Sequence, residues 1–458
     1  MVKSNKVIII GAGISGLTTA YLLHKDGYDV TVLEKNDQVG GSIETMVEDG
    51  FLFDRGPNSG LETTPIIAQL VEDLNLKDEL VYANKEGNKR YILRNNRLNA
   101  LPMSPPAFLR TRLFSGKAKL RLFAEPLIGR SQDGYYQSVA EFVKRRLGQE
   151  FLDYAINPFV AGVFAGVPEE LSVKSAFPKL YALEEDYGGI IKGTIKSIRK
   201  RKKRKEQSKR TAKMFSFKSG MMVLPEAIAN HLGNRVKLSA NVVSIKKTGD
   251  GEYGIAYKEG EQNLTLLTDI LLLTIPAYSA AELLGHIDSD LRLHLRSVYY
   301  PPVLVLYLAY NKANIGQPLD GFGFLIPSKE NKSFLGAIWS SVIFPNRTSE
   351  DTASFTLFIG GSRNPGFVNE PEDTVVKNAK TEFEELMKIK GEAVYTQKRF
   401  WPKAIPQYNV GYVEHENYFD HFEIDNKGII LSGNYRGGIS VGDCIQNAEK
   451  VTGKIKNL

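Results

Sequence analysis

With a single cysteine, Cys444, in 458 residues, no internal disulfide is available, and the expectation is a reducing compartment such as the cytoplasm. Histidine is nearly as scarce. His24, His231, His286, His294, His415 and His421 lie scattered, and no CxxC pair, HExxH motif or Ser/His/Asp arrangement occurs, so neither a metal site nor a nucleophilic hydrolase is expected. Long apolar runs are missing too. The most apolar stretch, Leu266 to Ala277, is interrupted by Asp269 and falls short of the roughly 20 residues that a membrane-spanning helix needs. The opening MVKSNKVIII runs straight into a strand-like segment and reads as having no signal peptide ahead of it.

Positive charge is present but not spread. Between Lys192 and Lys213 stand twelve Lys and Arg against one acid, Glu206; taking that +11 from the chain's +7 leaves −4 for the remainder. A nucleic-acid-binding body distributes its cations over a folded face, so no nucleic-acid partner is expected. The run IRKRKKRKEQSKR reads as a solvated loop, or as a segment drawn to anionic lipid headgroups, where each Lys or Arg contributes about 1 kcal/mol.

What is abundant is core-forming material, with 42% apolar and 10% aromatic residues, enough for two or three domains and too much for a disordered chain. Lys6 to Ile10 reads as a buried strand, followed by a glycine-rich turn, a helix to about Asp26 and a second strand from Asp29 to Leu33. Thr64 and Pro65 open a helix, Asn95 and Asn96 sit between two short strands, and Pro105 to Gly193 looks mainly helical, with a capping box at Ser138 and Glu141. Strand signals return at Val236 to Leu238, Val242 to Lys246, Gly254 to Tyr257 and Asp269 to Ile275. They recur near Val303 to Tyr310, Gly323 to Ile326, Leu335 to Ser340 and Phe355 to Ile359, before a helix from about Asp373 to Lys388. The end of the chain is again strand, glycine-rich turn and helix.

Gly11, Ala12, Gly13, Ile14, Ser15 and Gly16 spell GxGxxG between that first strand and helix, the context in which the motif binds a dinucleotide pyrophosphate at a helix N-terminus. Glu34 closes the second strand, where a carboxylate accepts from ribose hydroxyls and repels a 2′-phosphate. Only one such motif occurs, so a second dinucleotide site has no candidate. Gly40-Gly41 and Asp54-Arg-Gly-Pro-Asn58-Ser59 are further glycine-bearing turns suited to close backbone approach.

Taken with Asn157-Pro-Phe-Val-Ala-Gly162-Val-Phe-Ala-Gly166, Phe344-Pro-Asn-Arg347, Ile359-Gly-Gly361, Trp401-Pro and Gly433-Asn-Tyr435 with Gly438-Ile-Ser-Val-Gly-Asp-Cys444, this arrangement resembles the flavin-containing amine oxidase superfamily. Within that superfamily it is similar to the oxygen-dependent protoporphyrinogen oxidase family, over essentially the whole chain. The resemblance implies an α/β fold: a Rossmann-like FAD-binding domain (1–83, 212–290 and 395–458), a mixed α+β substrate domain (84–104 and 291–394) and a helical membrane-associated insertion (105–211). It implies FAD as cofactor, with Gly11 to Gly16, Glu34, Lys35, Gly41 and the Ser42 backbone at its pyrophosphate and ribose, and Gly56, Pro57, Asn58 and Ser59 near the flavin ring. Val242 falls at the adenine, and Trp401, Ile439, Ser440 and Val441 fall along the isoalloxazine; Val242 and Trp401 also read as plain core packing. Many superfamily members carry Arg after the GG pair where this chain has Ser42, which leaves a cation at the diphosphate in question.

The activity so implied is a six-electron oxidation of a porphyrinogen in three flavin-dependent steps, with O2 as acceptor and hydrogen peroxide as product. Arg90, placed just before a strand Tyr91 to Arg94, matches the arginine set against a substrate propionate, with Arg94 and Arg97 as neighbours that read equally as surface charge. Asn58 and the Gly162 backbone fall beside the macrocycle and are the candidate catalytic positions. Protoporphyrinogen and coproporphyrinogen both remain open as substrates, and a non-catalytic flavoprotein that carries porphyrin is a reading of another class. The stretch from Phe108, Leu109, Arg110 and Arg112 to Phe114, with Lys117, Lys119, Arg121, Leu122 and Phe123, mixes basic and apolar side chains as an interfacial helix does, so peripheral membrane association is expected. A homodimer and the next enzyme of heme biosynthesis are further partners the resemblance allows.

Overall fold

Val7, Ile8, Ile9 and Ile10 are all buried because their strand is covered on both faces, the pattern of an interior parallel sheet. In this computed structural model residues 5–84, 87, 89–204, 212–249 and 251–458 are described, with backbone only for 198–204. Strand β1 (Lys6–Ile10), helix α1 (Ile14–Lys25) and strand β2 (Asp29–Leu33) form the expected N-terminal unit. The sheet they enter is parallel and five-stranded, in the order Val236–Lys237, β2, β1, Ile270–Leu273, Ile429–Leu431. Period-two alternation sends Val7 and Ile9 into a core beneath α1 and the C-terminal helix Val441–Lys456, and Ile8 and Ile10 into a second core beneath Ala277–Leu284, Ser289–Arg296 and Tyr412–Asp425.

A second, mixed sheet of seven strands runs Tyr395–Trp401, Val303–Asn311, Thr352–Gly360, Phe334–Ile338, Gly321–Leu325, Lys89–Arg94, Arg97–Ala100. Its Leu304, Leu306, Leu308, Phe324, Phe355 and Leu357 face the helix Glu372–Met387. The opposite face turns toward the helical region. The Asn95-Asn96 turn closes its last hairpin with both residues at positive φ, 55° and 54°, the mirror-image turn that asparagine tolerates.

Residues 105–204 are mainly helical, packed around Leu113, Phe114, Phe142, Val143, Phe151 and Val160. Arg146, fully buried, donates to Glu184 and Glu125, and Glu125 in turn accepts the Ile190 and Ile191 backbone N–H groups at 2.8 and 3.1 Å, capping the helix Ile190–Arg204. Among the described residues no helix is long and apolar enough to cross a membrane.

Two expectations change, for the basic run and for the stretch around Phe108. The basic run is helical as far as Arg204 rather than a loop, because Glu125 caps its start; residues 205–211 lie outside the described residues. Strand Tyr395–Trp401 pairs with Val303–Asn311. Helix Ser289–Arg296 buries Leu291 and Leu295 in the core that also holds Ile8 and Ile10. The basic and apolar stretch after Phe108 is two short helices, Pro105–Arg110 and Gly116–Phe123, between which Leu113 and Phe114 turn inward, Phe114 stacked on Phe151 at 4.3 Å.

Candidate cofactor and substrate site

The turn after β1 has the shape its glycines allow. Gly11 sits at φ 106°, and a Cβ on Gly16 would collide with the Gly11 carbonyl, so the close helix–strand packing needs glycine at both positions. Around Gly13 a Cβ would meet nothing, so the cradle is open on that side, and no side chain caps the α1 N-terminus there. Ile14, Ser15 and Gly16 therefore begin α1 beside an open, positively polarised end, an arrangement that fits a pyrophosphate. Glu34 is buried; its carboxylate accepts the Ala12 N–H at 2.8 Å and the Asn36 N–H at 3.0 Å, which fixes it at the end of β2. Gly41 lies against Gly13, and the Ser42 carbonyl fills the space where a Cβ on Gly56 would be, so the GG turn and the Gly56 loop meet. Lys35 and Ser42 are exposed. Val242 is half-buried at a bulge in Ala240–Lys247, whose first residue donates its N–H to the Glu34 carbonyl at 2.8 Å. At the other helix of this face Ser440 caps Val441–Lys456, Ile439 and Ser440 are half-buried, and Cys444 is buried beside Ser15; burial pushes its thiol up to about 11.

The loop from Arg55 to Ser59 is held on several sides. Trp401 donates its indole N–H to the Arg55 carbonyl at 2.8 Å, and the Tyr307 hydroxyl donates to the Asp54 carbonyl at 2.8 Å. Asp54 is buried, which raises its carboxyl; Arg347, 3.6 Å away, the Thr45 hydroxyl and the Met221 N–H pull the other way. Pro57, Asn58 and Ser59 are half-buried, with the Ser59 hydroxyl donating to Asn58 Oδ1 at 3.3 Å.

From this loop the free face of the seven-stranded sheet extends as a floor. Register places Tyr307, Thr356, Ile338, Gly323 and Arg90 in one row, and Val305, Phe358, Gly336, Leu325 and Ile92 in the next. Leu325, Ile338 and Phe358 are half-buried, while Phe324, Ala337 and Leu357 on the other face are fully buried. Four strand spacings separate the strand of Tyr307 from that of Arg90, on the order of 20 Å. Arg90 lies within strand Lys89–Arg94 rather than before it; it is exposed, stands over the Phe322 ring at 5.4 Å and has no carboxylate partner among the described residues. Arg94 is committed to Glu150 at 2.6 Å and stands over the Tyr154 ring; Arg97 is exposed at the hairpin tip.

Above the floor runs the helix Asn157–Phe164, its Ala161 packed with Phe53, Val303, Val305 and Tyr307. Gly162 is exposed, and a Cβ there would stand 2.5 Å from Leu325 Cδ2. Dinucleotide cradle, loop, floor and overlying helix thus adjoin. Leu325 and Ile338 lie within Pro301 to Trp339, the stretch expected to supply apolar walls without named faces, but the face they share with Phe358 exists only once their strands pair, and only the assembled fold connects Tyr307 and Arg347 to Asp54.

The residue pattern of the family described as flavin containing amine oxidoreductase matches residues 14–455. Over 98% of this chain and 93% of the relative, the chain is 32% identical to protoporphyrinogen oxidase 2, chloroplastic/mitochondrial, of Arabidopsis thaliana. It is 27% identical to coproporphyrinogen III oxidase of Bacillus subtilis (strain 168), over 97% and 96%. A crystal structure from Exiguobacterium sp. 255-15 superposes over the whole of both chains with a TM-score of 0.79 at 22% identity, a likeness of fold.

Proposed function

The chain belongs to the flavin-containing amine oxidoreductase family and is an FAD-dependent oxidoreductase, and on that premise we propose that it oxidises protoporphyrinogen IX to protoporphyrin IX, with O2 as acceptor. The residues that would hold FAD are Gly11 to Gly16, Glu34, Gly41 and Ser42, with Gly56 to Ser59, Val242, Trp401 and Ile439 to Val441 along the rest of the cofactor. When bound, FAD supplies a two-electron acceptor, so removal of six hydrogens takes three turnovers.

The observation that carries the reading is the floor: an apolar, half-buried face floored by Gly323 and Gly336, with the Arg55 to Ser59 loop at one end and the exposed Arg90 at the other. A flat macrocycle suits such a face, and Arg90 offers a propionate the charged partner without which its burial is costly. Asn58 and Gly162 stand beside the ring in this reading, as positioning and contact residues. The likeness to a coproporphyrinogen III oxidase favours the four-propionate substrate as the second reading. Steady-state porphyrin fluorescence with each porphyrinogen separates the two: the proposal expects a higher kcat/KM for the two-propionate substrate, and the reverse order replaces it with the second reading.

The helical region also supports docking on the cytoplasmic face of a membrane. Met103, Leu109, Leu120, Phe123, Leu127 and Ile195 are exposed apolar residues, and Arg110, Arg112 and Lys117 stand among them. Lys119 and Arg121 are turned to backbone carbonyls instead. Flotation with anionic vesicles at low salt, weakened at high salt, is the expected result; protein that stays with the soluble fraction at both salts removes the membrane from the proposal.

A further inference from the structure

We infer that Arg363 is a positioning residue for the substrate slot, fixing the helix that carries Gly162 at a set height above Leu325; this rests on the reading of that face as the porphyrinogen site. The helix Asn157–Phe164 is eight residues long and is tied to the sheet at both ends through the turn Gly361–Arg363. At its C-terminal end the Ser362 N–H donates to the Ala165 carbonyl at 2.7 Å. Gly361, at φ 67°, comes so close that a Cβ would collide with that carbonyl. At its N-terminal end Arg363 Nη2 donates to Asn157 Oδ1 at 3.1 Å, and the same oxygen accepts the Ser328 N–H at 2.9 Å. Arg363 Nη1 donates to the carbonyl of Ile326 at 2.8 Å, the residue next to Leu325. One guanidinium therefore joins the start of the overlying helix to the strand end that presents Leu325, and the turn that bears it grips the other end of the helix.

The cost of this arrangement sets it apart from ordinary packing. Arg363 is half-buried, its Nε is shielded from solvent and has no partner, and no carboxylate is hydrogen-bonded or ion-paired to it among the described residues. Burial pulls its guanidinium down to about 10, opposed by the nearby Glu169. A guanidinium whose hydrogen-bond partners are all neutral is costly to take out of water, and an apolar side chain of similar volume would hold two elements together at less cost. What an apolar side chain lacks is a planar fork with fixed donor directions, which sets the spacing of Ile326 and Asn157.

The test compares Arg363→Met and Arg363→Lys with the unaltered holoenzyme by direct titration with protoporphyrin IX, by KM and kcat with protoporphyrinogen IX, and by flavin absorbance and melting temperature. The expectation for Arg363→Met is wild-type flavin content, a porphyrin Kd and a KM each raised about tenfold, and a kcat within about threefold. Arg363→Lys keeps the charge but not the fork, and should fall between the two. If Arg363→Met does not fold, Arg363→Lys decides alone, with a Kd raised several-fold expected. A Kd and KM equal to wild type in a folded variant overturn the inference, as does a fall in melting temperature and flavin content with Kd unchanged, which marks a purely structural staple. Unaltered enzyme that turns over no porphyrinogen overturns the substrate reading and this inference with it, whereas an active wild type with unaffected variants overturns this inference alone.

Discussion

Trp401 donates its indole N–H to the backbone carbonyl of Arg55 at 2.8 Å, and this bond joins the edge strand of the seven-stranded sheet to the loop that carries Asn58. Trp401→Phe keeps most of the ring area and loses the donor. A bond of this kind is worth about 1 kcal/mol, so FAD affinity measured by titrating apoprotein should drop roughly fivefold, with little change in the far-ultraviolet spectrum.

Glu34 has a different dependence. Its carboxylate is already fixed by the Ala12 and Asn36 N–H groups, and a charged acceptor contributes about 1.5–3 kcal/mol where a neutral one contributes about half as much. Glu34→Gln also turns an amide N–H toward a backbone N–H. Flavin retained after dialysis should fall steeply, with FAD affinity reduced about ten- to a hundredfold, while the isolated fold stays cooperative in urea.

The helical region carries a pH dependence. Burial alone would raise the Glu184 carboxyl, but Arg146 at 2.8 Å, Arg145 at 2.9 Å and the Ser131 N–H outweigh it and hold it below its usual range. A carboxyl depressed in the fold contributes stability that is complete above its unfolded value, about 4.3, and is lost as pH falls through the folded one. Wild type should therefore lose stability below about pH 4.3 more steeply than Glu184→Gln, and Glu184→Gln should be about 2 kcal/mol less stable at pH 7. Urea melts at several pH values read both.

Under the proposed function, Arg90 is the position expected to separate substrate binding from cofactor binding. It lies four strands from Tyr307, the residue that holds the Asp54 carbonyl, and has no carboxylate partner among the described residues. Arg90→Ala should raise KM for the porphyrinogen at least tenfold and leave the flavin-to-protein absorbance ratio at the wild-type value; unchanged kinetics take Arg90 out of the site.

How much of this was legible in the sequence follows from how local each signal is. The β1 strand, the Thr64 and Ser138 caps and the Asn95-Asn96 hairpin depend on neighbours within a few residues, and all appear as read. Strand Gln262–Thr268 goes unread because its exposed polar residues hide the alternation of Leu264 and Leu266, and Tyr395–Trp401 because its partner lies about ninety residues upstream. The basic helix was missed because its cap, Glu125, is 65 residues from the Ile190 N–H it accepts. For the site, GxGxxG and Glu34 announce themselves through fixed spacing, whereas Leu325, Ile338 and Phe358 share a face only once three strands pair.

The central claim is that a bound flavin faces a porphyrinogen on this floor, and rapid mixing of the yellow holoenzyme with protoporphyrinogen IX under anaerobic conditions tests it most directly. The prediction is loss of the flavin absorbance band within the turnover time, followed on admission of air by its return together with porphyrin fluorescence. A flavin band that stays unchanged through anaerobic mixing, in protein whose flavin dithionite still bleaches, would contradict the account.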